Sequence, residues 1–167
     1  MRVKLKQTDL SQNNLGWLCI EPMILMVRGK SLIAKSDLYE QLNEGQRALY
    51  MFYAFHNHTK TIPEFYWFTA YFMSELQAWN GLKKGVKFFN DQEMFIILNE
   101  LGTLIESMHK RADGTWQEPS PSDIETNKEQ YGPIEKLYLS YHSIVLKTID
   151  QINSYIRNNQ SDFLEIE

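Results

Sequence analysis

Four histidines and a scatter of carboxylates are the side chains of this 167-residue chain best equipped for chemistry. Glu106 and His109 form a Glu-x-x-His pair, and on a helix that spacing puts both on one face. Such pairs supply half of the ligand set of dinuclear carboxylate centres in helical bundles. The other half is missing: the residues three before His56, His58 and His142 are Tyr53, Phe55 and Leu139. A histidine near a helix C-terminus also interacts favourably with the helix dipole, which accounts for His109 without a metal. His56-Asn57-His58 places two imidazoles two residues apart, pointing to different sides of a helix, so they cannot share one ion. One metal arrangement stays open as the alternative, a mononuclear site built from His56 or His58 with His109 and His142, on three different helices. Solvated or hydrogen-bonded histidines are the simpler expectation.

Other chemistry has less support. The chain has no G-x-S-x-G elbow, no P-loop and no G-x-G-x-x-G turn. The stretch "GLKKGVK" lacks the Gly-Lys-Ser/Thr ending; Lys83, Lys84 and Lys87 could touch an anion, with a solvated face the plainer role. Cys19 is the only cysteine, so no disulfide forms within the chain, and it lies in the apolar run "GWLCIEPMILMV". It reads as a small buried hydrophobe, since nothing near it in sequence would lower its pKa. No cofactor is called for, and the balance leans away from an enzyme.

Charge is unevenly spread. Residues 1–36 hold six Lys or Arg against two acids, residues 37–90 five of each, and residues 91–167 six against fourteen, giving +4, 0 and −8. An acidic C-terminal half disfavours a nucleic-acid face, because phosphate binding needs clustered Lys and Arg. The basic start (Arg2, Lys4, Lys6) is expected to meet the acidic half. The apolar run Leu15–Val27 is shorter than the roughly 20 residues of a spanning helix and is broken by Glu21-Pro22, so no membrane segment is expected. The expected compartment is the cytoplasm.

The elements that must position these groups are helices. "NEGQ" from Asn43, "TIPE" from Thr61, "NDQE" from Asn90 and "SDIE" from Ser122 each have an N-cap residue followed three positions later by Glu or Gln. Each such box satisfies backbone donors that a helix start leaves orphaned. The spacing predicts helices from Asn43, from Thr61 to a stop at Asn80-Gly81, over Leu82–Phe89, over Asp91–Lys110 and from near Pro133. "MRVKLKQ" alternates like a short strand, and Pro22 is expected to open a helix reaching Arg28. The fold class is therefore all-α: one domain, a bundle of about five to six helices, with residues 1–35 packing on a bundle of residues 36–167. The segment 111–132, with Pro119 and Pro121, is a partly structured connection. "PEFYWFTAYFMSELQAW" from Pro63 to Trp79 is apolar around most of a helix and is expected to be the central one. Its Tyr66 and Tyr71 hydroxyls then need polar partners or a route to the surface.

The order "LNEGQRALYMFYAF", an aromatic-rich helix, then "DQEMFIILNELGTLIE" resembles a bacterial all-α domain family of undefined function, over about residues 36–110. That family includes a protein proposed to mimic DNA, and the resemblance implies the helical fold and an acidic display. The family's Asn-Asn-Gly-Gly-Phe segment falls near "HTKTIPEFYWF", where only an aromatic is kept.

Together these features point to a non-enzymatic module acting through protein–protein contact, its acidic half meeting a basic partner. Trp116, Glu118, Asp123, Glu125 and Glu129 are the residues expected to make that contact. A homo-oligomer through the aromatic helix is a further arrangement.

Overall fold

Phe55, fully buried, touches the rings of Phe65, Phe68, Phe72, Trp79 and Tyr141, and the helices carrying these rings are assembled around it. The structure is a computed structural model that describes residues 1–167. Eight helices follow one another: α1 (Leu15–Val27), α2 (Leu32–Gln41), α3 (Glu44–His56), α4 (Ile62–Ser74), α5 (Trp79–Phe88), α6 (Gln92–His109), α7 (Asp123–Thr126) and α8 (Lys128–Asn158). Two three-residue strands, β1 (Val3–Leu5) and β2 (Leu164–Ile166), pair in parallel, Val3 opposite Leu164. No helix is long and apolar enough to cross a membrane. The chain is an all-α helical bundle with an aromatic core.

The aromatic helix is central, as its composition predicts. α4 packs on α3, α5, α6, α7 and α8, and Phe65, Tyr66, Phe68, Ala70 and Phe72 are buried. It is shorter than expected, however. The chain leaves it after Ser74, Gln77 takes a left-handed φ of 49°, and Trp79 opens α5. Gly81 therefore sits inside the first turn of α5 instead of ending α4.

The capping signals hold in part. Asn43 and Gln46 make the full reciprocal box, at 2.8 Å and 3.2 Å. Thr61 Oγ1 accepts from the Glu64 N–H, but the Glu64 carboxylate turns to the Lys60 N–H instead of closing the box. At "NDQE" the cap is displaced by one residue. Asn90, at φ 59°, ends α5 with Asp91 N–H donating to Val86 O and Asn90 N–H to Lys87 O, and Asp91 then caps α6 through Met94 N–H. Ser122 makes no side-chain cap bond.

Two prolines lie inside helices, which corrects two expected starts. α1 begins seven residues before Pro22, and α8 begins at Lys128, with Asn127 as its cap, before Pro133. Both prolines are exposed, so water can meet the carbonyls that lose a partner. α2 was not signalled by a box; Ser31 caps it through the Ala34 N–H.

Long-range ties close the ends. Arg2 pairs with Glu165 at 2.7 Å and Lys4 with Glu167 at 4.0 Å, so the basic start does meet the acidic end. Asn153 of α8 is fully buried; its Oδ1 accepts from the Gly16 N–H and its Nδ2 donates to Asn13 O. It caps α1 from the other end of the sequence, since Asn14 makes no side-chain cap bond. Asn153→Ala leaves both groups unpaired and should cost about 1–3 kcal/mol. Urea unfolding checks this, with a lowered midpoint and an unchanged slope as the expected result.

Candidate functional site

The histidines divide between separate places. His56, at the end of α3, has Nδ1 at 3.0 Å from the Tyr141 hydroxyl and its ring stacked on Phe52. His142, one residue further along α8, directs Nε2 at Thr59 O, 2.7 Å away. Burial, and next the neighbouring His142, hold the His56 imidazole down at about 4, so it is neutral near pH 7. His58 lies against the face of Phe68 at 4.0 Å between centroids and has Nδ1 at 3.4 Å from a Glu64 oxygen.

His109 belongs to a different cluster. Its Nε2 is 2.6 Å from the Tyr66 hydroxyl, which in turn donates to Asp123 Oδ2 at 3.1 Å. The phenol has one proton and gives it to the carboxylate, so the imidazole supplies the proton of the shorter bond from Nε2. His109 Nδ1 is buried without a hydrogen-bond partner. Burial lowers the His109 pKa against the upward pull of Asp123 and of the Gln117 backbone. Burial, then the Asp123 charge and hydrogen bond, raise the Tyr66 phenol. The Tyr66–His109–Asp123 chain has the look of an acid–base relay, but Tyr66 is fully buried and His109 is 5% exposed. A substrate has no access to it. Its effect is to bind α4, α6 and α7 together and to pull the 111–126 segment onto the bundle, with Ile124 buried beside it.

The three-histidine arrangement of His56 or His58, His109 and His142 therefore does not assemble. No group of three or more His, Cys, Asp or Glu side chains comes together in a way that could hold a metal ion. The physical reason is that each imidazole is committed to a neighbouring hydroxyl, carbonyl, ring or carboxylate. Cys19 is buried, and desolvation pushes its thiol up to about 12, so it is no nucleophile.

The residues expected on the acidic face also divide. Asp123 faces inward, accepting from Tyr66 and from the Ser120 N–H at 2.7 Å, and so is a structural anchor. Glu118, Glu125 and Glu129 are exposed and make no ion pair. Trp116 is half-buried: it forms a bridge with Lys110, whose ammonium lies 6.0 Å from the indole centroid.

An apolar groove was not legible from the sequence. It runs between α1 and α2 on one side and α3 and α4 on the other, with a volume of about 540 Å³. Val27, Leu32, Tyr39, Met51, Tyr71 and Phe72 contribute to its walls. Arg28 and Lys35 are the charged residues that line it, and no carboxylate does. Around the α1–α2 junction Leu25, Met26, Leu32 and Ile33 are 51%, 51%, 52% and 74% exposed, and of these Leu32 lines the groove. Leu25 and Met26 lie in the last turn of α1, and Leu32 and Ile33 open α2. The helical hydrophobic pattern could not announce them, because α1 is apolar all round and α2 is short and weakly patterned.

The class of protein that this fold and groove define is an all-α helical bundle with a basic-edged apolar groove on one face. Comparison of the chain with protein-family models, with curated proteins and with solved structures finds no match.

Proposed function

We propose that this protein is a non-enzymatic binding module that works through protein–protein contact, with the α1–α4 groove as its docking surface. The observation that carries the proposal is the groove itself: apolar walls, Arg28 and Lys35 as its lysine and arginine charges with no carboxylate, and the half-exposed Leu32 on its wall. The occupant that fits is an amphipathic segment of a partner protein, apolar on one face and acidic along its flank. Apolar contact would supply affinity and the two cations orientation.

The acidic half supports a second reading, a basic partner held by Glu118, Glu125 and Glu129 near Trp116. Those three carboxylates are exposed and free of ion pairs, as such a role requires. Asp123 takes no part, being bound to Tyr66 and Ser120.

Capture from a native lysate by three proteins separates these readings: the natural chain, Leu32→Glu/Ile33→Glu, and Glu118→Gln/Glu125→Gln/Glu129→Gln. All five substituted side chains are exposed, so folding should be little changed. Loss of a captured partner in the groove variant alone is the expected result. Loss only in the glutamate variant, with release by salt, would move the docking site to the acidic half. Sedimentation adds a third outcome. A dimer of the purified chain that Ile33→Glu dissociates would make the occupant a second copy.

A further inference from the structure

We propose that the chain forms a two-fold dimer by pairing the outer face of α8 antiparallel with α8 of a second copy. The interface stands apart from the docking groove, to which α8 contributes no residue.

α8 carries two seams. The inner one, with Ile134, Leu137, Tyr141, Thr148 and Ile152, is buried in the bundle. The outer one reads Lys136, Leu139, Ser143, Leu146 and Asp150, at spacings of three, four, three and four, and all five are exposed. At about 100° per residue these positions stay within about 80° of the helix surface, the narrow stripe by which paired helices meet. Singly, an exposed leucine means little on a protein surface. Leu139 and Leu146 differ in being 60% and 73% exposed on one stripe, with Ser143 between them. The Lys147–Glu93 pair at 2.6 Å sets the start of α6 beside this part of α8, and Ile96, one turn on from Glu93, is 48% exposed as well.

The order of the seam says what covers it. A two-fold axis at Ser143 sets each residue beside the one equally far along α8 in the other direction, on the second copy. Lys136 then meets Asp150 of the second copy, and Leu139 meets its Leu146 to within about one residue's rise. Each contact occurs twice, as a closed two-fold interface requires. A parallel pairing would instead set Lys136 against Lys136 and Asp150 against Asp150, so the charges select the antiparallel one. Neither Lys136 nor Asp150 makes an ion pair within the chain. About 21 Å of helix separates them, so they cannot meet each other in one copy. Ser143, the smallest side chain of the seam, lies where the two helices must come closest. Its hydroxyl already donates to Ser140 O at 2.7 Å, so burial at the axis leaves no donor unpaired. A contact of about four turns on one helix is smaller than the roughly 800 Å² per partner of a standard interface, so the dimer is reversible. Leucine contact supplies its affinity, and the charges supply its orientation.

Sedimentation equilibrium of the full chain between about 5 μM and about 500 μM is the test, with a monomer–dimer equilibrium inside that range as the expected result. Leu139→Glu/Leu146→Glu should weaken it by about tenfold or more, and Ile33→Glu, in the groove region, should leave it unchanged. Lys136→Asp and Asp150→Lys alone each bring like charges together twice and should weaken it by roughly threefold or more. The decisive variant carries both, Lys136→Asp/Asp150→Lys. It restores opposite charges only across an antiparallel pair, and its Kd should return to within about twofold of the natural chain. All the substituted side chains are exposed, and an unchanged circular-dichroism spectrum keeps the comparison sound. A monomer at every concentration, a dimer indifferent to the two leucines, or a double reversal no better than the single ones would each overturn the proposal. A dimer that Ile33→Glu dissociates would overturn it too, by moving the contact to the groove.

Discussion

Phe55→Ala should lower the unfolding free energy by about 3–5 kcal/mol, a large share of the ~5–15 kcal/mol by which a domain is stable. Phe55 lies on α3, and its ring centroid is 5.4 Å from Trp79, 5.7 Å from Phe72, 6.0 Å from Tyr141, 6.2 Å from Phe65 and 6.3 Å from Phe68. Truncation removes the apolar area of one ring and also the edge-to-face partner of the Trp79 and Tyr141 rings. The surrounding side chains come from three other helices and cannot all close on the gap. Urea unfolding should show the midpoint displaced strongly with the slope kept. Ile33→Ala, at a site 74% exposed, should change stability by about 0.5 kcal/mol or less and serves as the contrast. A small effect of Phe55→Ala would mean that the aromatic cluster is loose and that the fold rests on something else.

Acid should destabilise the protein before its carboxylates titrate, and His56 sets the window. Its ordinary value of 6.5 falls to about 4 in the fold, through burial first and His142 second. The unfolded chain therefore takes up a proton near pH 6.5 that the native state refuses until about pH 4. Stability is full above the unfolded value and declines as pH falls between the two, by about 3 kcal/mol at most. His109, also lowered by burial, acts in the same direction. Unfolding midpoints measured between about pH 7.5 and about pH 4.5 should fall steadily. His56→Gln, which keeps a hydrogen-bonding group beside Tyr141 and does not titrate, should flatten most of that slope. An unchanged slope in the variant would assign the acid sensitivity to other groups.

Gly45 and Gln46, in the first turn of α3, have a packing explanation. A Cβ on Gly45 would meet the Phe163 ring at 2.7 Å, so the ring covers the helix start only because residue 45 is glycine. Gln46 is 1% exposed; it closes the box with Asn43 and donates to Asp162 O and Met1 O. Both residues hold the end of the chain against α3. Their identity follows from that contact.

What the sequence by itself determined was local: which stretches are helical, that the Pro63–Trp79 stretch is a buried centre, and that Asn43 and Thr61 start helices. These follow from periodicity and from bonds made within four residues, which a linear string displays. Boundaries failed where a residue's role depends on a partner far along the chain. Pro22 and Pro133 looked like helix starts because the string cannot show that α1 and α8 present them to water. Asn153 gave no sign that it caps α1, 137 residues away.

The tertiary structure alone decided the sites. It separated His56 and His142 from His109, turned Asp123 inward to Tyr66, and formed a groove among α1–α4 and a cleft among α4–α6. Lys83 and Gly102 carried no joint signal, yet α5 and α6 pack so that both line one cleft with Trp79. Side-chain type and spacing fix what a residue can do. Which neighbours it meets is fixed by packing, and here packing buried Cys19 and His109, turned Asp123 to Tyr66 and left Glu118, Glu125 and Glu129 exposed.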